Sequence, residues 1–348
     1  MSSESQRPNS TFDVCVVGDG WEAAYAAYLF AEAEIKVVQI SSANPAREWQ
    51  EVITIGNGDL LRRAELAIGE NNARELWQIS KKNAGRATQL FSKLKLPTQK
   101  ITTFWIYDSK NETEMAEASA KSDVTYHRGN DPRLGKFVSE KSESFDPTSL
   151  ITRLKAAQSW PILRGEFSTL LRSISCERTL ILDDAITLKL SPSMKEELIP
   201  VTLSLFEEPL DSSAPQGYFL FHSGADYALT SEGKIVMGSF RNLYEDKAVG
   251  RLAQYDPVTW KGVSQFFSKK KWMRPHAQPS SFYLKAASLS CDGLPLVGPL
   301  RDSPALFIST GYAARAANFQ FEVLAQLVNS LAQGGTLDSP LTSNRRFL

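Results

Sequence analysis

The chain has 348 residues, with 39 Lys plus Arg balancing 39 Asp plus Glu. This length favours two lobes over a single core, and the neutral balance provides no field that would attract nucleic acid or an anionic membrane. The N-terminus is polar, and no apolar run approaches the ~20 residues that a membrane span requires. Three widely spaced cysteines indicate a reducing compartment. We therefore expect a cytoplasmic protein.

The first predicted elements form a βαβ unit. A buried strand, an Ala-rich helix and a second strand are predicted in turn by residues 14–17, 22–33 and 36–40. The turn between the first two carries a G-x-G-x-x-A pattern at Gly18, Gly20 and Ala23. Gly18 permits the tight turn, Gly20 lets the backbone approach a pyrophosphate, and Ala23 lets the helix pack closely on the strand. The positive helix N-terminus would then point at the phosphates. This pattern predicts a dinucleotide-binding fold.

The end of the second strand departs from this pattern. An acidic residue normally binds the ribose hydroxyls there, whereas this chain has Ser41 followed by Ser42. A serine hydroxyl can bond a ribose hydroxyl, but without charge assistance, which roughly halves the strength of the bond. We place Ser41, Ser42 and Asp19 of the glycine turn in the nucleotide site, and the affinity for the nucleotide stays open.

The rest of the chain alternates helices and strands. Apolar periodicity predicts helices within 60–94 and 112–121, and Asp146 followed by Pro147 predicts a helix start with an aspartate N-cap. Strands are predicted at 102–107, 179–190, 201–206, 217–222, 226–229, 235–240, 282–288 and 306–309, before a last helix at 319–331. Because a strand–turn–helix returns at the end, we expect the first and last segments to share one sheet, with an antiparallel sheet inserted between them.

Four further segments carry a family resemblance. Residues 290–299 read S-C-D-G-L-P-L-V-G-P, and residues 306–312 read as a strand followed by a glycine turn. Residues 226–238 form a tyrosine-containing hairpin pattern, and residues 144–154 contain the D-P helix start. In this order the four segments and the glycine turn resemble the flavin-dependent D-amino-acid oxidase, glycine oxidase and sarcosine oxidase superfamily, over about residues 12–330.

The resemblance implies an α/β protein with a discontinuous, doubly wound FAD-binding Rossmann-like domain and an inserted antiparallel-sheet substrate domain. The FAD-binding segments would be 10–80, 144–195 and 285–335, and the substrate segments 81–143 and 196–284. In this family a C–N bond is oxidised by hydride transfer to FAD, so no protein acid–base pair and no metal is required. The resemblance places Gly311, Tyr312, Ala313 and Ala314 beside the flavin. It also places Tyr227, Lys285 and Arg315 at the substrate.

Three departures from the family bear on activity. The arginine that clamps a substrate carboxylate is replaced by Ala287, with Lys285 two residues earlier. The glycine-rich loop after Gly311 is rewritten with alanines and Arg315. Where a small residue would approach the pyrophosphate, the chain has Asp183 and Asp184, whose charges disfavour a nearby diphosphate unless they are paired.

Two functional hypotheses follow. The first is an FAD-dependent oxidoreductase acting on a small or macromolecular amine or an amino acid. The second is a non-catalytic or accessory protein of the same fold, which has lost flavin binding or turnover and acts through a protein partner or as an oligomer. Neither hypothesis involves nucleic acid or a membrane.

Overall fold

The computed structural model describes residues 11–43, 49–56, 61–107, 109–121, 126–190, 194, 197–221, 226–231, 233–238, 257–290, 294–300, 303–312 and 316–333. The strands are β1 (Thr11–Val17), β2 (Val37–Ser41), β3 (Glu51–Ile53), β4 (Thr98–Tyr107), β5 (His127–Asp131), β6 (Gly135–Phe145), β7 (Ile162–Arg164), β8 (Ser175–Ile181), β9 (Leu198–Pro209), β10 (Gly217–Phe221), β11 (Asp226–Ser231), β12 (Lys234–Gly238), β13 (Ser281–Ser290), β14 (Leu296–Leu300) and β15 (Ser303–Thr310). The helices are α1 (Trp21–Glu32), α2 (Leu61–Ile68), α3 (Glu70–Leu94), α4 (Lys110–Lys121), α5 (Pro147–Ala157), α6 (Phe167–Ser173), α7 (Asp184–Leu190), α8 (Pro257–Lys269) and α9 (Gln320–Gln333). A 3-10 turn at Ala316–Asn318 precedes α9.

The first sheet has the strand order β14-β15-β8-β1-β2-β7. Its strands pair in parallel, except for the antiparallel pair of β14 and β15. Both faces are covered, because Val14 and Val16 pack in the same core as α1 and α9, while Cys15 and Val17 pack on the other side with side chains of α6 and α7. Burial on both faces explains why these strands read as continuous apolar runs. The predicted α/β class and the shared sheet of the first and last segments are confirmed.

The second sheet has the order β13-β9-β12-β11-β10-β4-β6-β3, and β5 pairs with β6. It is mixed rather than wholly antiparallel, because β4 and β10 run in parallel. We call the side that bears Phe206 and Phe219 the outer face, and it packs on Trp260 and Phe267 of α8. The opposite side of the central strands, the inner face, bears Trp105 and Leu220 and belongs to the core that contains α1, α3 and α9. The assignment of this sheet to a substrate domain with the boundaries given above stays a prediction.

The start of α5 follows the predicted capping. The Asp146 side chain accepts hydrogen bonds from the backbone N–H groups of Thr148 and Ser149, and Pro147 takes the first helical position. Proline is favoured there because that position has no intrahelical partner for an N–H. No helix in the described ranges is long and apolar enough to cross a membrane.

The predicted strand at 179–190 is wrong in its second half. β8 ends at Ile181, and α7 begins at Asp184. The reason is the aspartate at 183, whose Oδ1 accepts a hydrogen bond from the backbone N–H of Ile186 at 2.9 Å. The N–H of Thr187 donates to the Asp183 carbonyl at 2.9 Å, which closes the first helical turn. Aspartate at an N-cap favours a helix over continuation of the strand.

A buried polar network connects the two sheets through Thr54, Ile55 and Gly56. The N–H of Thr54 donates to Oδ1 of Asn318 at 2.9 Å, and the N–H of Ile55 donates to Oε1 of Glu140 at 2.9 Å. The N–H of Gly56 donates to the Ser80 hydroxyl at 2.7 Å. These three N–H groups are therefore paired although the segment runs through the interior, where an unpaired group is costly.

We predict that Asn318→Ala destabilises the protein by about 2 to 4 kcal/mol. The Asn318 amide also donates to the Thr54 hydroxyl at 2.8 Å and to the Gly56 carbonyl at 3.2 Å, so its removal leaves several buried groups unpaired. Urea unfolding followed by tryptophan fluorescence measures the loss. The matched control is Asn72→Ala on exposed surface of α3, which should change the free energy of unfolding by less than about 0.5 kcal/mol. Equal effects of the two substitutions would contradict the structural role of Asn318.

Candidate cofactor site and substrate face

Four connections meet at the carboxyl edge of the first sheet. They are the glycine turn after β1, Ser41 and Ser42 at the end of β2, residues 182–184 after β8, and Gly311 with Tyr312 after β15. Ligands of doubly wound sheets bind outside the carboxyl ends of the strands. The structure thus brings together the predicted cofactor residues that fall within its described part.

The two glycines of the turn have different backbone conformations. Gly18 has φ of +155°, and a Cβ placed on it would lie 3.1 Å from the Cβ of Ala23. The turn is attached to β2, because the N–H of Gly18 donates to the Ile40 carbonyl at 3.0 Å and Nε2 of Gln39 donates to the Gly18 carbonyl at 3.0 Å. Gly20 has φ of −76°, which any residue adopts. Gly18 is therefore required by the fold, whereas Gly20 is not required by its backbone conformation.

The N-terminus of α1 has no side-chain cap. Gly20 occupies the N-cap position and has no side chain that could accept from the first-turn N–H groups. These groups and the helix dipole favour an anion at this end. The helix is anchored by Trp21, whose ring stacks on Phe321 with centroids 4.6 Å apart and meets the edge of Phe145 at 5.6 Å. This rigid, uncapped terminus fits the diphosphate of a dinucleotide.

A carboxylate of the glycine turn lies at the end of β2. Oδ1 of Asp19 accepts a hydrogen bond from the Ser41 hydroxyl at 2.8 Å and another from the backbone N–H of Ser42 at 2.6 Å. Oδ2 of Asp19 accepts no bond from any residue in the described ranges. The Ser42 hydroxyl is buried and also finds no partner there. A carboxylate oxygen and an orphaned hydroxyl at the end of β2 match the donors and acceptors of a ribose.

The two aspartates after β8 are engaged by the protein. Asp183 caps α7, and burial raises its pKa, with a further rise from the nearby charges of Asp184 and Asp19. The Asp184 carboxylate accepts bonds from the backbone N–H of Ser288 and from the Thr310 hydroxyl. Asp184 therefore joins α7 to β13 and β15. These hydrogen bonds compensate part of the charge that would otherwise oppose a diphosphate.

The turn after β15 is shaped by Gly311, which has φ of +82°. A Cβ on Gly311 would lie 3.2 Å from Cδ2 of Leu198, so the position favours glycine for both conformation and space. The Tyr312 side chain is buried, and its hydroxyl lies 2.8 Å from the Ser309 hydroxyl. Its ring thus points into the core, which leaves the backbone as the part of Tyr312 that a cofactor could contact. Ala313, Ala314 and Arg315 lie outside the described residues.

Tyr227 lies on the inner face of the second sheet. Its ring lies across Gly238 of the neighbouring strand, where the missing Cβ leaves room for it. Its centroid is 5.8 Å from that of Tyr218. Burial raises the pKa of Tyr227 well above its ordinary value, and the neighbouring Tyr218 and Glu51 raise it further. The tyrosine is therefore neutral.

Two positions of β13, Lys285 and Ala287, bear on the predicted carboxylate clamp. Lys285 pairs with Leu203 of β9, and its side chain lies outside the described part. Ala287 is buried in an apolar cluster with Val201 and Leu203. The position at which the resemblance implies an arginine is therefore apolar in this chain.

One buried acid was missed by the sequence reasoning. Glu140 of β6 is 6% exposed and lies opposite Thr103 of β4. Burial raises the pKa of Glu140 to about 8, and the hydrogen bond from the N–H of Ile55 offsets part of that rise. Residues 135–145 form a strand, in which alternate side chains face the core, so the core-facing positions could be predicted from the sequence. The sequence did not predict that a glutamate would be buried at one of them.

Comparison with known proteins identifies the fold. No family model matches the chain, and no curated protein sequence matches it. Glycine oxidase from Geobacillus kaustophilus matches with a TM-score of 0.68 at 13% identity, over 97% of this chain and 100% of the other. L-proline dehydrogenase from P. horikoshii matches with 0.67 at 11% identity, over 95% and 97%. L-amino acid deaminase from Proteus myxofaciens matches with 0.68 at 13% identity, over 100% and 96%.

The chain therefore has the fold of amino-acid oxidases and dehydrogenases, over nearly its whole length. This confirms the resemblance drawn from the motifs, and at these identities it establishes the fold. The roles of the individual residues stay proposals.

We predict that Gly18→Ala lowers the free energy of unfolding by about 1 to 3 kcal/mol, whereas Gly20→Ala changes it by less than about 1 kcal/mol. The difference follows from the two φ angles and from the contact between position 18 and Ala23. Chemical denaturation of both variants beside the parent protein measures it. A Gly20→Ala protein as unstable as the Gly18→Ala protein would contradict the assignment of Gly20 to binding rather than folding.

We predict that the wild-type protein loses stability as the pH rises from about 5 to 8, in part through Glu140. The pKa of Glu140 is about 8 in the folded chain and near its ordinary value when unfolded, so the folded state binds more protons in this window. Glu140→Gln keeps an acceptor for the Ile55 N–H and should remove about 1 to 3 kcal/mol of this pH dependence. Unfolding curves at several pH values test it, with exposed Glu75→Gln as the control. Parallel pH profiles for wild type and Glu140→Gln would refute it.

Proposed function

We propose that the chain is an FAD-dependent oxidoreductase that oxidises a C–N bond of an amine or amino acid. The observation that carries this proposal is the carboxyl edge of the first sheet. There an uncapped helix N-terminus, a glycine turn and a carboxylate–serine cluster lie together. The fold neighbours support the reaction class, because their names are those of oxidases, deaminases and dehydrogenases of amino acids.

In this proposal, different residues hold the diphosphate, the ribose and the flavin ring. The Gly20 backbone and the first-turn N–H groups of α1 would hold the diphosphate. Asp19 would accept the ribose hydroxyls through Oδ2, with its Oδ1 held by Ser41 and the Ser42 N–H. Because Asp19 rather than Ser41 carries the charge, the bond to ribose is charge-assisted after all. Gly311 and Tyr312, with Ala313 and Ala314, would approach the flavin ring through their backbone.

A bound flavin would supply an acceptor for the hydride from the carbon beside the substrate nitrogen. The protein's share of the work is to hold the substrate in a dry, oriented site. Tyr227 supplies a neutral ring on the inner face, and Lys285 and Arg315 are proposed to lie near the substrate. We also propose the division into FAD-binding and substrate segments given above, and a cytoplasmic location.

A second function is supported by a specific observation. Asp183 and Asp184 bring two carboxylates to the edge where a diphosphate would lie, and Asp184 is tied to β13 and β15 by hydrogen bonds. Such an edge could be stable without a nucleotide. The second candidate is therefore an accessory protein that kept the fold and lost flavin binding or turnover.

The spectrum of the purified protein decides between the two candidates. An FAD-dependent enzyme should show visible flavin absorption as isolated, or bind added FAD with quenching of flavin fluorescence. Bleaching of that absorption under anaerobic conditions by an amine or amino acid would then show turnover. A folded protein that stays colourless and leaves the fluorescence of added FAD unchanged would support the accessory function.

We predict that Gly20→Val folds and binds FAD at least about 100-fold more weakly than wild type. The φ of Gly20 accepts a side chain, but a β-branched one would stand where the phosphates must approach the α1 N-terminus. Fluorescence titration with FAD measures the affinity, and circular dichroism with thermal unfolding confirms the fold. The control is Gly85→Ala, on the surface of α3, where an added Cβ meets nothing within 4 Å. A folded Gly20→Val protein with wild-type affinity would refute the placement of the diphosphate.

A further inference from the structure

A cavity of about 480 Å³ lies where β4 ends and β6 begins. The end of β4, the start of α4, the turn between β5 and β6, and the residue after α8 line it. Its volume is in the range of small-molecule sites. None of its lining residues belongs to the first sheet or to the four connections of the candidate cofactor site. The cavity is therefore a separate place in the fold.

Three lysines line this cavity, which we call the lysine cavity. Lys110 begins α4, Lys136 is in β6 and Lys270 directly follows α8. None of the lining residues in the described part of the chain is acidic. Nζ of Lys110 lies 3.8 Å from Oε1 of Glu114, but both side chains are well exposed, so this ion pair neutralises little of the charge. In a chain without net charge, three ammonium groups around one cavity form a local positive excess that attracts an anion.

The ammonium group of Lys270 is positioned by two aromatic rings of the outer face. Its Nζ lies 5.1 Å from the ring centroid of Phe266 and 5.5 Å from that of Phe221. Both distances are within the ~6 Å at which a ring attracts a cation. The rings orient the lysine but carry no negative charge that would neutralise it. A side chain that is already held in place loses less conformational entropy when it binds a ligand.

The two hydroxyl groups of the cavity are engaged within α4. The Ser109 hydroxyl accepts a hydrogen bond from the backbone N–H of Glu112 at 3.1 Å, and the Thr113 hydroxyl donates to the Ser109 carbonyl at 2.9 Å. The ammonium groups are therefore the main side-chain donors of the cavity, and an ammonium offers no acceptor. Lysines act as point charges and bind phosphate well, whereas the planar fork of arginine matches a carboxylate. The polar side of the cavity thus suits a phosphate group.

The other side of the cavity is apolar. Ile106 and Leu134 line it, and both take part in the core of the outer face. An organic group attached to the phosphate would contact these side chains and lose apolar surface to water, which is favourable. Inorganic phosphate would leave this side of the cavity unused.

We propose that the lysine cavity binds a small phosphate monoester whose organic part is apolar and about the size of one aromatic ring. The phosphate dianion lies among the ammonium groups of Lys110, Lys136 and Lys270, and the organic part lies against Ile106 and Leu134. The proposal does not rest on the proposed function, because the cavity shares no residue with the candidate cofactor site.

Calorimetric titration of the full chain with four probes tests the proposal, at about pH 8, where a phosphate monoester with its second pKa of about 6 is a dianion. Phenyl phosphate carries both the dianion and the ring. Inorganic phosphate lacks the ring, benzyl alcohol lacks the charge, and benzoate carries one planar charge. We expect phenyl phosphate to bind about tenfold more tightly than inorganic phosphate, and at least about tenfold more tightly than benzoate or benzyl alcohol. Added salt should weaken its binding, because the ammonium groups are exposed to solvent.

Substitution by methionine removes each charge and keeps most of the apolar stem. Lys110→Met, Lys136→Met and Lys270→Met should each weaken phenyl phosphate binding about threefold to tenfold. The matched control is Lys269→Met, which removes the same charge from an exposed neighbour of Lys270 that does not line the cavity. This control should stay within about twofold of wild type. Circular dichroism confirms that each variant is folded.

Three results would overturn the proposal. They are a folded protein that does not bind phenyl phosphate, equal affinity for phenyl phosphate and either inorganic phosphate or benzoate, and unchanged affinity in all three variants of the lining lysines. The last result would mean that the probe binds elsewhere, for example at the N-terminus of α1. Binding that is weakened by these substitutions in a protein that takes up no FAD would support the lysine cavity and contradict the proposed function alone.

Discussion

The segment Thr54–Gly56 depends on side chains that arrive from three distant parts of the chain, and the joint between the two sheets depends on that segment. Asn318 comes from the turn before α9, Glu140 from β6 and Ser80 from α3. The same pattern continues along α3, where the Asn83 amide bonds the Ala317 carbonyl and accepts from the Glu322 N–H. Each bond is modest in net value, but leaving any of these groups unpaired in the interior would cost about 1 to 3 kcal/mol. The network therefore fixes the relative position of α3, α9 and the second sheet more specifically than apolar packing alone would.

The parts of the fold that the sequence could predict are those in which the local pattern agrees with the tertiary packing. The βαβ unit was predictable because Val14–Val17 is buried on both faces and Gly18 is required by its φ angle, so local pattern and tertiary role agree. The helix α7 was mistaken for a strand because its residues are as apolar as a strand, and the capping bond from Asp183 is a local interaction that hydropathy does not register. The short strand β3 escaped prediction since its pairing with β6 is set by contacts almost a hundred residues away.

The residues of the candidate site also divide into those that a local pattern could place and those that depend on distant contacts. Gly18, Gly20 and Ser41 could be placed from their spacing, because the turn and the strand end that carry them are local features. The pairing of Asp19 with Ser41 could not, since it joins two side chains 22 residues apart and inverts which of them carries the charge. In the proposed function, the acid expected at the end of β2 is thus carried by the glycine turn instead. Glu140 is a similar case. Its place in the alternation of β6 could be predicted from the sequence, but its hydrogen bond from the Ile55 N–H could not.

The inner face of the second sheet bears on the substrate of the proposed enzyme. A carboxylate substrate needs a fixed cation, because a buried charge left unpaired costs several kcal/mol. Position 287 offers a methyl group among valine and leucine side chains, so it supplies no such cation. Lys285 holds the register position opposite Leu203 on this same face. In the proposed function a carboxylate substrate would therefore pair with Lys285 or Arg315, and a substrate without a carboxylate would need neither.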